Sequence, residues 1–229
     1  MQVLIDGLVT AIQLLLSGHP ETYSAVAATL TVSSYAMLAS LSIGIPLGFL
    51  LGYYDFPGKR AIRTLVDTCL AFPTVLIGLL VYAFISRRGP LGEFGLLFSL
   101  TAIAIGQTIL ALPVVIALTA TAMESLDRQL RLTLLTLGAR GRQLLWTSIW
   151  EARYGVLAAT MNAYGRVLTE VGISMMVGGN IKWHTRTITT AIALETGKGE
   201  FAMGIALGLV LMSIAFLVNL ALAVLRKRA

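Results

Sequence analysis

The run LTLLTLGARGRQLLWTSIWEARYGVLAATMNAYGRVLTEVGISMMVGGNI, Leu132 to Ile181, decides how the chain folds: a basic, glycine-bearing loop as far as Gln143 feeds an apolar helix carrying Arg166 and Glu170. A charged side chain at the centre of a bilayer costs about 2.5–3.5 kcal/mol even on the lowest scales, so such residues usually line a pathway. Arg166 and Glu170 are therefore the first functional candidates. Four residues apart, they would stack on one helix face, where they could neutralise each other at modest cost. An internal pair and direct work on an anion both fit this spacing, and the two roles can coexist.

Outward from that run, 57% of the 229 residues are hydrophobic and only 12% are charged, more apolar surface than one soluble core of this size could hide. The implied solvent is lipid and the implied class is an all-α membrane protein, one domain over residues 1–229. Five crossings are expected, near Thr22 to Gly52, Leu65 to Ile85, Leu97 to Met123, Leu145 to Val177 and Phe201 to Leu225. Each supplies the roughly 20 residues a helix needs to span about 30 Å of hydrocarbon. Residues 1–18 set Asp6, Thr10, Gln13 and Ser17 at helical spacing and read as an amphipathic helix in the interface or packed on a partner helix. An early Asp6 and no basic start argue against a signal peptide.

A net charge of +6 does not point to nucleic acid, because the basic residues fall in short blocks flanking apolar spans. Lys59, Arg60, Arg63, Arg128, Arg131, Arg140, Arg142, Arg226, Lys227 and Arg228 share one side; Arg87, Arg88, Lys182, Arg186 and Lys198 share the other. The positive-inside rule puts the carboxyl terminus in the cytoplasm and the amino terminus outside, with Trp146, Trp150 and Trp183 as interfacial anchors. Cys69 lies in an apolar run and reads as a packing residue. His19 has no ligand-spaced neighbours and reads as a loop histidine, so no metal is expected.

LAFPTV (Leu70 to Val75) and LALPVV (Leu110 to Val115) each place a proline inside an expected crossing. Proline frees a carbonyl and bends the helix, leaving gaps through which a polar ligand could pass. Pro73, Thr74 and Gln107 join Arg166 and Glu170 as candidate pathway residues, with interhelical packing the competing account of Thr74 and Gln107. Residues 124–144 are long enough for a short cytoplasmic helix and a turn at Gly138 to Gly141, within reach of soluble partners. The stretch GNIKWHTRTITTAIALETGKG, residues 179–199, reads as a polar, basic outer loop in which Lys182, His184 and Arg186 are solvated.

AYGRVLTEVG (Ala163 to Gly172) followed by GNI (Gly179 to Ile181) resembles the AFARALGEFG and GNI signature of the molybdate, tungstate and sulfate permeases, membrane subunits of binding-protein-dependent, ATP-driven type I importers. The similarity runs over nearly the whole chain. It looks most like the tungstate group through PETYSAVAATLTVSSYAMLASLSIGIPLG (Pro20 to Gly48), FPTVLIGLLVY (Phe72 to Tyr82) and SRRGPLG (Ser86 to Gly92). In that family a cytoplasmic EAAxxxGA pattern forms a coupling helix seated in a groove of the ATPase. Here Leu132, Thr133 and Leu134 stand where EAA is favoured, so the glutamate is missing, and WEARYG (Trp150 to Gly155) puts Glu151 where relatives carry proline. The resemblance assigns ATPase coupling to Leu132, Leu135, Leu137, Gly138, Ala139 and Gly141, with apolar residues docking helix-in-groove.

It further implies a homodimer in a prokaryotic inner membrane, two ATPase subunits carrying ATP and Mg, and an external oxyanion-binding protein. GYYDFPGKR (Gly52 to Arg60) is not a phosphate loop, since its first glycine is misplaced and Arg60 stands where serine or threonine would hold magnesium. No HExxH or GxSxG occurs either, so the chain is expected to catalyse nothing by itself. The expected function is the permease of a tungstate or molybdate importer. The alternatives are a proton- or sodium-driven anion transporter with Glu170 titrating, which lacks the usual inverted repeat, and a non-transporting scaffold.

Overall fold

The computed structural model describes residues 7, 9–13, 19–126, 134, 136–139 and 141–228, with the side chains of 142, 145 and 225–228 outside the description. Every regular element among the described residues is helical: α1 Pro20–Tyr53, α2 Lys59–Leu70, α3 Thr74–Ile85, α4 Leu100–Glu124, α5 Arg142–Glu151, α6 Arg153–Leu168, α7 Gly172–Gly178, α8 Ile188–Gly197 and α9 Phe201–Arg228, with a turn of 3-10 helix at Gly92–Phe94. α1, α4 and α9 are each long and apolar enough to cross a membrane.

The other two expected crossings are not single helices. The run from Leu65 to Ile85 is cut at residues 71–73 into α2 and α3, whose axes differ by 98°, so counting this bent pair gives up to four spans. Pro73 lacks an N–H and caps the new helix with extended backbone (ψ 128°), which explains the cut. Pro113, by contrast, sits inside an uninterrupted α4. The run from Leu145 to Val177 is delivered as α5, α6 and α7, with breaks at Ala152 and at residues 169–171.

α1 and α4 form the most extensive helix pair. Gly44, Gly48 and Gly52 recur every fourth residue along α1, and a Cβ at any of them would lie under 3 Å from α4: from Val115, from the Ile116 carbonyl and Thr119, and from the Ala120 carbonyl and Met123. In lipid, where hydrophobic burial does not drive helix association, such small-residue rows let backbones approach and gain dispersion contact. α3, α4 and α7 meet in an apolar core of Ile77, Val81, Ile85, Ile103, Ile173 and Val177. Gly78 and Gly106 give Met176 and Ile173 of α7 the room to approach.

Near the amino terminus, Ala11 packs with Ala25, Ile188, Ala191, Ala206, Leu207 and Val210, and Gly7 abuts Ile205. Residues 7 and 9–13 therefore lean on α9, the packed one of the two placements expected. The segment 179–199 is not a loop throughout. Its threonines build the start of α8: Thr187 and Thr190 form a reciprocal capping box, and Thr29 of α1 accepts from Ile188 N at 2.9 Å.

Candidate functional site

Two helix interruptions face each other: residues 71–73 between α2 and α3, and residues 169–171 between α6 and α7. The sequence candidates gather there. Arg166, in the last turn of α6, donates from one Nη to the Leu70 carbonyl at 3.2 Å. Glu170 is buried; its Oε1 accepts from Ile173 N at 3.0 Å, and its carbonyl accepts from Thr189 Oγ1 of α8 at 2.9 Å. Thr74 opens α3, and its hydroxyl and Glu170 Oε1 lie 3.4 and 3.3 Å from where a Cβ on Gly172 would stand, so glycine keeps that junction open. Gln107 of α4, also buried, donates to the Val167 carbonyl at 3.4 Å, and its Oε1 has no partner.

The internal pair of Arg166 with Glu170, one of the two readings the spacing allowed, does not form. α6 ends at Leu168, so Glu170 leaves the helical register that would have stacked it over Arg166 and turns to cap α7. Each charged group instead satisfies a backbone atom orphaned by a helix break. Sequence reasoning missed the Leu70 carbonyl as Arg166's partner. The signal was Phe72-Pro73, which reads as a kink and acts as a full stop. Residues 71–73 are exposed while Arg166 and Thr74 are half-buried, so the site opens to one side.

A dianionic oxyanion is suited by a guanidinium that offers several donors in a fixed plane, and by a helix start with free N–H groups. Arg166 supplies the first, and α3, which has no side-chain cap, supplies the second. Below this level Lys59 and Arg63 meet Glu124 at 3.7 and 3.6 Å, with Asp55 and Asp67 completing the network. These pairs place the start of α2 and the end of α4 at the same end of the molecule. Of the coupling candidates, Leu132 and Leu135 lie outside the described residues. Leu137 is 78% exposed, Ala139 N donates to the Leu134 carbonyl at 2.9 Å, and Gly138 and Gly141 take positive φ of 82° and 45°.

At the opposite end Glu21 binds Lys182 at 2.7 Å and also Arg186, whose guanidinium is held as well by Asn180 Oδ1 at 3.1 Å. Arg186 is therefore not the solvated cation expected. A cavity of about 470 Å³ lies here, lined by His19, Glu21, Lys182, Arg186, Glu195 and Lys198 among others. The GNI turn is fixed from below: Phe98 N donates to Val177 O at 2.9 Å, and the Phe98 ring covers Gly179, whose φ of 71° and lack of a Cβ the contact requires.

The pattern of binding-protein-dependent transport system inner membrane components matches residues 44–229. The chain is 48% identical to the tungstate uptake system permease protein TupB of Campylobacter jejuni, over 96% of this chain and 92% of that one. It is 40% identical to a probable anion ABC transporter permease protein of Haloferax volcanii, over 86% and 87%. To the molybdenum transport system permease protein ModB of Escherichia coli it is 32% identical, over 79% and 83%. Among solved structures it superposes on the MetNI methionine ABC transporter with a TM-score of 0.73, at 18% identity and covering 91% of this chain and 95% of that one. With a bacterial alginate ABC transporter in complex with its pentasaccharide-bound periplasmic protein the TM-score is 0.75, at 18% identity over 97% and 86%.

Proposed function

The chain belongs to the family of binding-protein-dependent transport system inner membrane components, and from that premise we propose that it is the membrane-spanning permease subunit of an ATP-driven importer moving tungstate, or a related oxyanion such as molybdate, into the cytoplasm. The observation that carries the substrate class is the 48% identity to a tungstate uptake permease along 96% of the chain. The facing helix breaks with Arg166 between them fit an anion route. Tungstate and molybdate are both tetrahedral dianions, so the membrane site sees one chemistry and discrimination falls to the protein that delivers the ion.

The permease works as a homodimer with two ATPase subunits and an external oxyanion-binding protein, its amino terminus outside and its carboxyl terminus in the cytoplasm. ATP and Mg reside on the ATPase subunits. Support for the binding-protein partner comes from the matching family and from the alginate transporter, which was crystallised with its periplasmic protein. Closure of the ATPase pair moves the 124–144 segments, and α5 and α6 carry that motion to the break at 169–171. A pathway that released its cargo poorly would stall, so Arg166 acts as a transient contact while strong capture takes place on the binding protein.

The test is tungstate uptake into vesicles containing the assembled complex with a catalytically dead ATPase. Uptake should vanish. Uptake that survives the lesion would instead support a gradient-driven transporter, a reading to which the relatives lend nothing, and wild-type complexes that assemble but move no oxyanion would support a scaffold.

A further inference from the structure

The α2–α3 break leaves one carbonyl in need of a donor. In a continuous helix Thr74 N would serve Leu70 O, but Thr74 instead begins α3 on an axis 98° away, and no backbone N–H reaches Leu70 O. Its neighbour Cys69 O is supplied by Phe72 N at 3.3 Å. Leu70 O is supplied by Arg166, 96 residues later in the chain. Among the described residues Arg166 has no carboxylate partner; it is half-buried, and the bond to Leu70 O uses one of its five N–H donors. Leu70 itself packs against the cluster that includes Ala36, Met37, Ala111, Val114, Val115 and Val167, which brings this contact to a core shared by α1, α4 and α6.

We propose that Arg166 is a two-position latch: in the empty permease it clamps the α2–α3 hinge through the Leu70 carbonyl, and a passing oxyanion takes the guanidinium from that carbonyl and frees the hinge. The bond to the carbonyl is already charge-assisted, but a dianion adds direct charge attraction and can accept two parallel N–H bonds at once, so the exchange runs toward the oxyanion when it arrives. The same exchange keeps binding weak, because every oxyanion bound costs a carbonyl its donor. The identity of the competitor rests on the import reading given above; the clamp itself rests on the Arg166 to Leu70 bond alone.

Cys69 reports the hinge. It adjoins Leu70, is the chain's single cysteine, and lines an apolar cavity with Phe72, Ile77 and Pro113. With a cysteine-free ATPase partner in proteoliposomes, maleimide labelling of Cys69 without oxyanion should run at least about threefold faster in Arg166→Gln than in wild type. Saturating tungstate should accelerate labelling of the wild type and leave Arg166→Gln unchanged. Equal labelling of wild type and Arg166→Gln in assembled complexes, or a wild type indifferent to tungstate, overturns the latch. Should Arg166→Gln not assemble, Arg166→Lys, which keeps the charge but loses the fork, carries the same comparison. Uptake in the same vesicles separates the two readings: import with Cys69 indifferent to Arg166 and to tungstate sinks only the latch, whereas wild-type vesicles that import no oxyanion sink the transport reading.

Discussion

Arg166 shows how a residue can stand out in the sequence while its partner stays hidden there. Its burden of charge inside an apolar run is visible in the sequence; the carbonyl it serves is not, because that carbonyl became free only when a helix 96 residues earlier stopped at Leu70. Arg166→Ala should lower tungstate uptake by tenfold or more, equivalent to about 1.4 kcal/mol, with the complex still eluting intact on gel filtration. Wild-type uptake in correctly inserted vesicles would remove Arg166 from the route. Glu170 has the opposite lesson. Its spacing suggests a counter-ion, whereas its carboxylate caps Ile173 N within a buried junction. Glu170→Leu should therefore destabilise the permease by about 1–3 kcal/mol through an unsatisfied N–H, and Glu170→Gln, which keeps an acceptor, by much less, as read from thermal unfolding in detergent.

At the scale of elements, three of the five expected spans are continuous helices, α1, α4 and α9, and the second and fourth are broken. Hydropathy registers only how much apolar chain is present, so it located α1, α4 and α9 but could not see that Pro73 would stop a helix while Pro113 would ride inside one. The difference lies in what surrounds each proline: α4 is held along its length by α1, whereas α2 buries none of its own residues. The glycine row at 44, 48 and 52 carries its own test. Gly48→Leu should push α1 off the Ile116 carbonyl and Thr119, costing about 1–3 kcal/mol, with Gly48→Ala milder; unchanged melting of both would remove this row from the packing account. In the segment proposed to couple to the ATPase, Gly138 holds φ at 82°, a value closed to proline. Gly138→Pro should leave most ATP hydrolysis running while tungstate uptake falls severalfold, and an unchanged ratio of hydrolysis to uptake would dissociate this turn from the ATPase contact.

On the scale of the whole molecule, the ion pairs among the described residues gather at two ends. Lys59, Arg63 and Glu124 knit one end, and Glu21, Lys182 and Arg186 knit the other. Sequence patterning assigns Lys59 and Arg63 to one group and Lys182 and Arg186 to the other, while Glu124 and Glu21, which bind them, went unassigned because their partners lie far away in the chain. The clasp made by Glu21 has a consequence for biogenesis. Its anchor Arg186 follows it by 165 residues, so a ribosome adding about 5–20 residues per second needs roughly 8–33 s to deliver the second half. For that interval α1 waits in the bilayer with its acid unclaimed, and this end of the molecule can be sealed only after nearly all of the polypeptide has been threaded into the membrane.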